Sequence, residues 1–158
     1  MAGHADNRDL LKGLRAAQYD WDKTGDEGGL RAVLDRISAP DAKFRLAHPF
    51  GDMTGPSAFH DKALAVLKAA WPDVERRDWI VIAGEDENGI EWVGCGGHFV
   101  GTFLNPFLEI PPTGHLAHMR FHEFYRFENG RITEMQALWD IPEAVSYTHL
   151  TLPTILRV

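Results

Sequence analysis

Residues His115–Asp140 read HLAHMRFHEFYRFENGRITEMQALWD, and the pair Asn129-Gly130 near the middle governs the reading of the whole chain. Asn-Gly between alternating apolar and polar residues is the strongest short-range hairpin signal, because a type I′ turn needs positive φ at both central positions. Two long strands folded on that turn carry an unusual polar load: His118, Arg120, His122, Glu123, Gln136 and Asp140. A two-residue turn sets Glu128 opposite Arg131 and Met119 opposite Asp140. Strict pairing then puts Gln136 and Asp140 on the Glu123 face, with His118, Arg120 and His122 on the other. One bulge within residues 135–140 would carry Asp140 to the histidine face.

Upstream, the period of the sequence is 2 from Val74 onward. Arg77–Gly84 reads as a strand that turns at a second Asn-Gly, Asn88-Gly89, and returns as Ile90–Phe103. Glycines 94, 96, 97 and 101 suit strong curvature, a bulge or the close approach of another group rather than a flat strand. Before Val74 the spacing is helical. Leu10, Leu14, Ala17 and Trp21 share one stripe over residues 7–21, and Leu30, Val33, Leu34 and Ile37 share a second, ended by Pro40. Lys43–His48 alternates as a first strand, stopped by Pro49. A third helix begins at Gly55-Pro56, proline being tolerated at the first helical position, and runs on Phe59, Ala63, Val66, Leu67 and Ala70 to Trp71-Pro72-Asp73. The order predicts an α+β fold: a strongly curved antiparallel sheet wrapped around three N-terminal helices, with a cone-shaped cavity at its open end. Residues 1–145 form a single domain. The closing SYTHLTLPTILRV, residues 146–158, resembles translated adapter sequence and is expected to be foreign to the native chain.

Composition narrows the function. The 158 residues carry a formal charge of −7, which argues against a nucleic-acid partner. Arg76-Arg77, the only basic run, is flanked by Glu75 and Asp78. A single cysteine, Cys95, rules out an internal disulfide framework and fits a reducing compartment. The N-terminus lacks the apolar core of a signal peptide, and no window of 18 uninterrupted apolar residues occurs, so a cytoplasmic location without membrane contact is expected. HLAHMRFH does not read as a metal site. Alternation places His118 and His122 on one face roughly 13 Å apart, at ~3.3 Å per residue, with His115 on the other face. GCGGHFVG continues as a strand on both sides, unlike a dinucleotide loop, which leads into a helix. No metal and no cofactor are expected, and Cys95 reads as inert.

The carboxylates are more informative. Glu123 lies on the face of Phe121 and Tyr125, where a carboxylate is either at the sheet rim or buried in a pocket with a raised pKa. Asp140 is either a helix cap for the IPEA segment, worth about 1 kcal/mol, or a general acid/base at the mouth of the cone. Ile110-Pro111-Pro112-Thr113-Gly114, the turn segment Arg126–Ile132, Asp140 and the upstream HPFGDMTGPSAF resemble the SnoaL-like polyketide cyclases and ester cyclases of the NTF2-like superfamily, over about residues 8–144. That resemblance implies cofactor-free catalysis: Asp140 removes or returns a proton beside a carbonyl, and an intramolecular aldol closure follows. A more distant likeness of EFYRF…MQALW to ketosteroid isomerase implies that Glu123 faces the cavity as a neutral acid in an oxyanion hole. The family's E-H-W after the turn is Glu134-Met135-Gln136 here, and Trp139 is expected to fill part of the vacated volume.

Together these readings predict a small acid/base enzyme of the cyclase, isomerase or hydrolase type, acting on a small apolar carbonyl or ester compound. Asp140 is the expected acid/base, with Glu123, His122, Arg120, His98 and Gln136 polarising or orienting the substrate. Trp139, Met135, Tyr125, Phe121, His48 and Trp92 are expected to line its pocket. The alternative is a non-catalytic module holding an apolar ligand or a protein partner in the same cone. A homodimer is also expected, with the His118/Arg120/His122/Arg126 row at its interface.

Overall fold

A computed structural model describes residues 4–149. Helix α1 (His4–Thr24) and helix α2 (Gly28–Ile37) are followed by β1 (Ser38–Leu46) and β2 (Gly51–Thr54). The third helical segment is one path in three parts: α3 (Pro56–Phe59), a π-helical turn (His60–Leu64) and α4 (Ala65–Ala70). Strands β3 (Glu75–Glu85), β4 (Glu91–Thr102), β5 (Leu116–Glu128) and β6 (Arg131–Trp139) follow, and α5 (Ile141–His149) closes the described chain. The strands form one sheet in the order β2-β1-β6-β5-β4-β3.

The α+β architecture is as expected, with two differences. β1 joins β6 in parallel, so the sheet is not antiparallel throughout. β1 tolerates Pro40 because the register jumps between Ser38 and Lys43, and a bulge is where a strand accepts proline. A sixth strand, β2, covers β1 as a short edge. Helix α5 runs to His149, so the first four residues of the segment expected to be foreign continue a helix; residues 150–158 lie outside the described ones.

The turns explain the sheet's shape. Asn129 and Gly130 both have positive φ, 52° and 73°, as a type I′ turn demands. The second hairpin is looser. Asp86 spans a loop to Ile90, its Oδ1 accepting the amides of Asn88 and Ile90, and only Gly89 is left-handed. Two strands carry one extra residue each. Asp78 pairs with Gly97 and Ile80 with Gly96, which leaves Trp79 as a bulge in β3. Phe127 pairs with Ile132 and Arg126 with Glu134, which leaves Thr133 as a bulge in β6.

Helices and sheet bury one core on the inner face of the sheet: Leu11, Leu14 and Trp21 of α1 and Leu30 and Leu34 of α2 meet Phe99, Phe121 and Met135. Gly97 is where this packing needs glycine. A Cβ there would overlap the Arg77 carbonyl and lie 2.8 Å from Phe121 Cζ. Gly97→Ala is therefore expected to destabilise the protein by at least about 2 kcal/mol, since neither backbone nor a packed ring can withdraw cheaply. Urea denaturation measures this, and an unchanged midpoint would show that β3 does not press on β4 there.

Candidate active site

The inner face of the sheet carries one buried ionic cluster, built from four elements. Glu123 on β5 is 1% exposed. Arg76 of β3 donates to it from Nη1 to Oε1 at 3.0 Å and sets Nη2 2.9 Å from Oε2. Tyr125 Oη donates to Oε2 at 2.6 Å, and Trp139 Nε1 of β6 donates to Oε1 at 3.0 Å. Arg15 of α1 stands 3.5 Å from Oε2. Arg76 also forks onto Asp78, two residues along the same strand, at 3.1 and 3.0 Å, and its guanidinium lies 3.8 Å from the centroid of the Phe121 ring.

Burial alone would push the Glu123 pKa up, but Arg76 and Arg15 outweigh it and hold the carboxyl at about 2. The same cluster pushes up the Tyr125 hydroxyl, through burial first and then Glu123, against the pull of Arg15. Burial likewise raises the Cys95 thiol, which stands 3.8 Å from Arg15. Glu123 shares the face of Phe121 and Tyr125, as the alternation predicted, and of the two places left open there it takes the buried one rather than the rim. It is not the neutral acid that the ketosteroid isomerase likeness implied: with two guanidiniums beside it, the carboxyl is an anion and has no proton to donate.

The expected site residues divide between the two faces. Phe121, Tyr125, Met135 and Trp139 are buried on the inner face with Glu123. His98, Arg120, His122 and Gln136 lie on the outer face. His98 sits beneath Trp79, ring centroids 4.1 Å apart, with Nε2 3.6 Å from Glu143. His122 and Gln136 line a shallow groove with Phe124 and Leu138. Trp92 donates to Asp86 near the β3–β4 turn, and His48 is exposed after β1.

Asp140 is not on the Glu123 face. The Thr133 bulge shifts the register, so that Met135 pairs with Tyr125 and Trp139 with Phe121. Asp140 then bonds through its amide to the Arg120 carbonyl, while its Oδ1 accepts the Glu143 amide at 3.1 Å. That is the N-cap of α5, the first of the two readings its sequence allowed. The shift that strict pairing did not include, and that the sequence left open, occurs, with its bulge at Thr133 rather than within residues 135–140.

A cleft of about 450 Å³ opens between α1 and strands β3 and β4, lined by Arg8, Leu11, Lys12, Arg15, Asp78, Val81 and Cys95. At its floor the Asp78 and Arg15 side chains are 20% and 18% exposed, so both meet the cleft and the buried cluster at once. Further along α1 the cone is shut: Gln18, Trp21, Asp22, Arg76 and Phe99 surround a hole of only about 20 Å³, room for roughly one water molecule. There burial pushes the Asp22 carboxyl up to about 6, against the pull of Lys68.

Arg15, Arg76 and Asp78 were not anticipated from the sequence. A signal existed for each. Arg15 falls on the buried stripe of α1 with Leu11 and Gln18, and Arg76 and Asp78 share one face of an alternating strand. Among the described residues, no group of three or more histidine, cysteine or carboxylate side chains is placed to hold a metal ion, and no helix is long and apolar enough to cross a membrane.

A curved sheet closed over N-terminal helices, with an ionic cluster on its concave side, is the NTF2-like cone. The sequence pattern of the SnoaL-like polyketide cyclases matches residues 18–144, and the chain belongs to that family. Among solved structures, AclR from Streptomyces galilaeus, a proposed hydroxylase, superposes with a TM-score of 0.71 at 20% identity, over 92% of this chain and 86% of that one. A proposed SnoaL-like polyketide cyclase from Jannaschia sp. CCS1 gives 0.70 at 20% identity, over 92% of each chain. IdmH from Streptomyces antibioticus, a proposed polyketide cyclase, gives 0.67 at 22% identity, over 89% of this chain and 96% of that one. No curated protein sequence matched the chain.

The buried cluster has a measurable signature. Because the folded pKa of Glu123 lies below its ordinary 4.5, the stability it contributes is present above about 4.5 and is lost as pH falls through about 2. Glu123→Gln should cost about 3–5 kcal/mol at pH 7, by leaving the buried Arg76 and the neighbouring Arg15 to share Asp78 as their remaining carboxylate. It should also flatten the stability curve between pH 5 and 2. Chemical denaturation across that pH range reads both effects, and parallel curves for the two proteins would contradict the assignment.

Proposed function

We propose that the protein is a cofactor-independent acid/base enzyme that closes or isomerises a small, largely apolar carbonyl or ester compound in the cleft beneath α1. The observation that carries this reading is the pairing of Asp78 and Arg15, 3.5 Å apart and both partly open to a cleft whose apolar wall is Leu11, Val81 and Cys95. Asp78, whose two oxygens are both held by Arg76, is still 20% exposed at the cleft, and there it accepts a proton from the carbon beside a substrate carbonyl. The electron pair of that C–H bond becomes an enolate, whose oxygen meets the Arg15 guanidinium. The enolate carbon then attacks a second carbonyl of the same molecule and forms the new C–C bond. The oxygen of that carbonyl takes back the proton held by Asp78. Arg76 fixes the orientation of Asp78 through its two-pronged contact, and Leu11, Val81 and Cys95 supply the apolar wall.

Exchange of the α-protons of a β-keto ester such as ethyl benzoylacetate into deuterated water, followed by proton NMR, tests the first step without knowledge of the natural substrate. Asp78→Asn should slow the enzyme-dependent exchange by about 100-fold or more. Asp140→Asn should leave the exchange intact and lower stability by about 1 kcal/mol or less, as a cap substitution does. The reverse order of effects would return the catalytic role to Asp140. Binding of the ester without any accelerated exchange would make the cleft a binding site rather than a catalytic one.

We also propose that the outer face of the sheet pairs with a second copy of this chain. Ile80, Ile82, Phe124 and Leu138 are each about half exposed there. Gly94 keeps the surface flat: a Cβ would stand 3.0 Å from the Phe124 ring. The charges around this strip are paired within the chain, Arg45 with Glu134 and Asp52, and Arg126 with Glu128. An apolar centre with a self-neutralised rim suits an identical face better than a charged partner. Light scattering should give a dimer at micromolar concentration, and Phe124→Glu should give a folded monomer. A monomeric parent protein would end this proposal.

A further inference from the structure

The cleft also has a charge pattern that the proton transfer does not use, and its meaning for the substrate rests on the reading of that cleft as the active site. Arg8, Lys12 and Arg15 lie at i, i+4 and i+7 of α1, one face of the helix, about 10.5 Å from end to end. All three line the cleft, and Asp78 is the one acidic side chain among its lining residues. This basic stripe stands out on a chain whose formal charge is −7.

The three cations are not equally engaged. Arg15 is held at the floor by Gln18 Oε1 at 2.8 Å and by longer contacts to Asp78, Glu123 and Tyr125. Arg8 reaches the Val81 carbonyl at 3.4 Å, a contact too long to consume a guanidinium. Lys12 meets Asp9 at 2.8 Å, but the side chains are 77% and 65% exposed, so water screens the pair and an incoming anion can compete with it. Between the two ends lie Leu11, Val81 and Cys95. The cleft thus offers a cation beside the reacting carboxylate, an apolar wall, and two further cations on the same helix face, Lys12 about one helical turn away and Arg8 about two.

We propose that the substrate is a keto acid: an apolar body with its reacting carbonyl at Arg15 and Asp78 and a carboxylate at the opposite end, recognised by Arg8 and Lys12. The guanidinium of Arg8 presents paired donors to the two carboxylate oxygens, and Lys12 adds a point charge. Both residues sit at the cleft mouth, so they set which compounds enter without touching the bonds that change. They are specificity residues, separate from the pair that moves the proton.

Titration calorimetry with 5-oxo-5-phenylpentanoate and its methyl ester tests this, in the parent protein and in an Arg8→Gln/Lys12→Gln variant. Both positions are exposed, so the variant should fold as the parent does, which circular dichroism checks. The parent should bind the carboxylate about tenfold more tightly than the ester, with a preference that shrinks as salt is raised. The variant should bind both equally. Equal binding of acid and ester by the parent, with exchange of the β-keto ester intact, would overturn carboxylate recognition and leave the active-site reading standing. Tight, selective binding of the acid that survives the double substitution would also overturn it, since the anion would then be held elsewhere. Failure of the active-site reading itself has a different mark: β-keto ester exchange that is unchanged in Asp78→Asn.

Discussion

A carboxylate taken out of water loses hydration worth many kcal/mol, and an interior can hold one only by surrounding it with donors. Glu123 is held in this way. Its two oxygens receive Arg76 from β3, Tyr125 from β5, Trp139 from β6 and, at longer range, Arg15 from α1. No two of these donors come from the same element, so the anion ties three strands and a helix to one point. The register of the sheet depends on it. Strict alternation outward from the Asn129-Gly130 turn would put Met135 and Trp139 on the outer face and leave the indole N–H facing away from Glu123. The extra residue at Thr133 reverses that parity over the last part of β6, and the indole reaches the carboxylate.

The same cluster settles which groups remain free for chemistry. Arg76 is committed to two carboxylates at 2.9–3.1 Å, and an ionised Glu123 can accept but not donate. An oxyanion in this cone therefore cannot rely on a neutral acid at position 123. Arg15 is the cation left with loose charged contacts, and Asp78 is the carboxylate left partly exposed at the cleft. Of the two residues proposed to act on substrate, Arg15 meets the buried anion directly and Asp78 is joined to it through Arg76.

What could be read from the sequence depends on the range of the interactions involved. Helical stripes, the Asn129-Gly130 turn and the alternation that sets Glu123 on the face of Phe121 and Tyr125 are local patterns, and each is present in the fold. The glycines of β4 announced a close approach, and Gly97 meets the Arg77 carbonyl. The Thr133 bulge left no mark, because Arg131-Ile132-Thr133-Glu134 contains neither glycine nor proline and alternates as well as any strand. β2 is only four residues long, too short for a period. The pairing of Arg15 with Asp78 and Glu123 joins residues 63 and 108 positions apart, so no spacing rule could bring them together. Asp140 shows the opposite case: both of its readings were visible, and register chose the cap.

The second bulge has the wider consequence for function. Without the extra residue at Trp79, the alternation that turns Arg76 and Asp78 inward would also turn Ile80 and Ile82 inward and leave Val81 outside. The bulge switches the parity immediately after Asp78. Arg76 and Asp78 keep their inner positions, Val81 pairs with Cys95 to wall the cleft, and Ile80 and Ile82 are released to the outer face. One inserted residue therefore makes the cleft polar at its floor and apolar along its wall. It also furnishes the exposed strip across which two sheets could pack. The tolerance for that insertion comes from β4, where Gly96 and Gly97 stand opposite the bulge with no side chain to obstruct the bent strand.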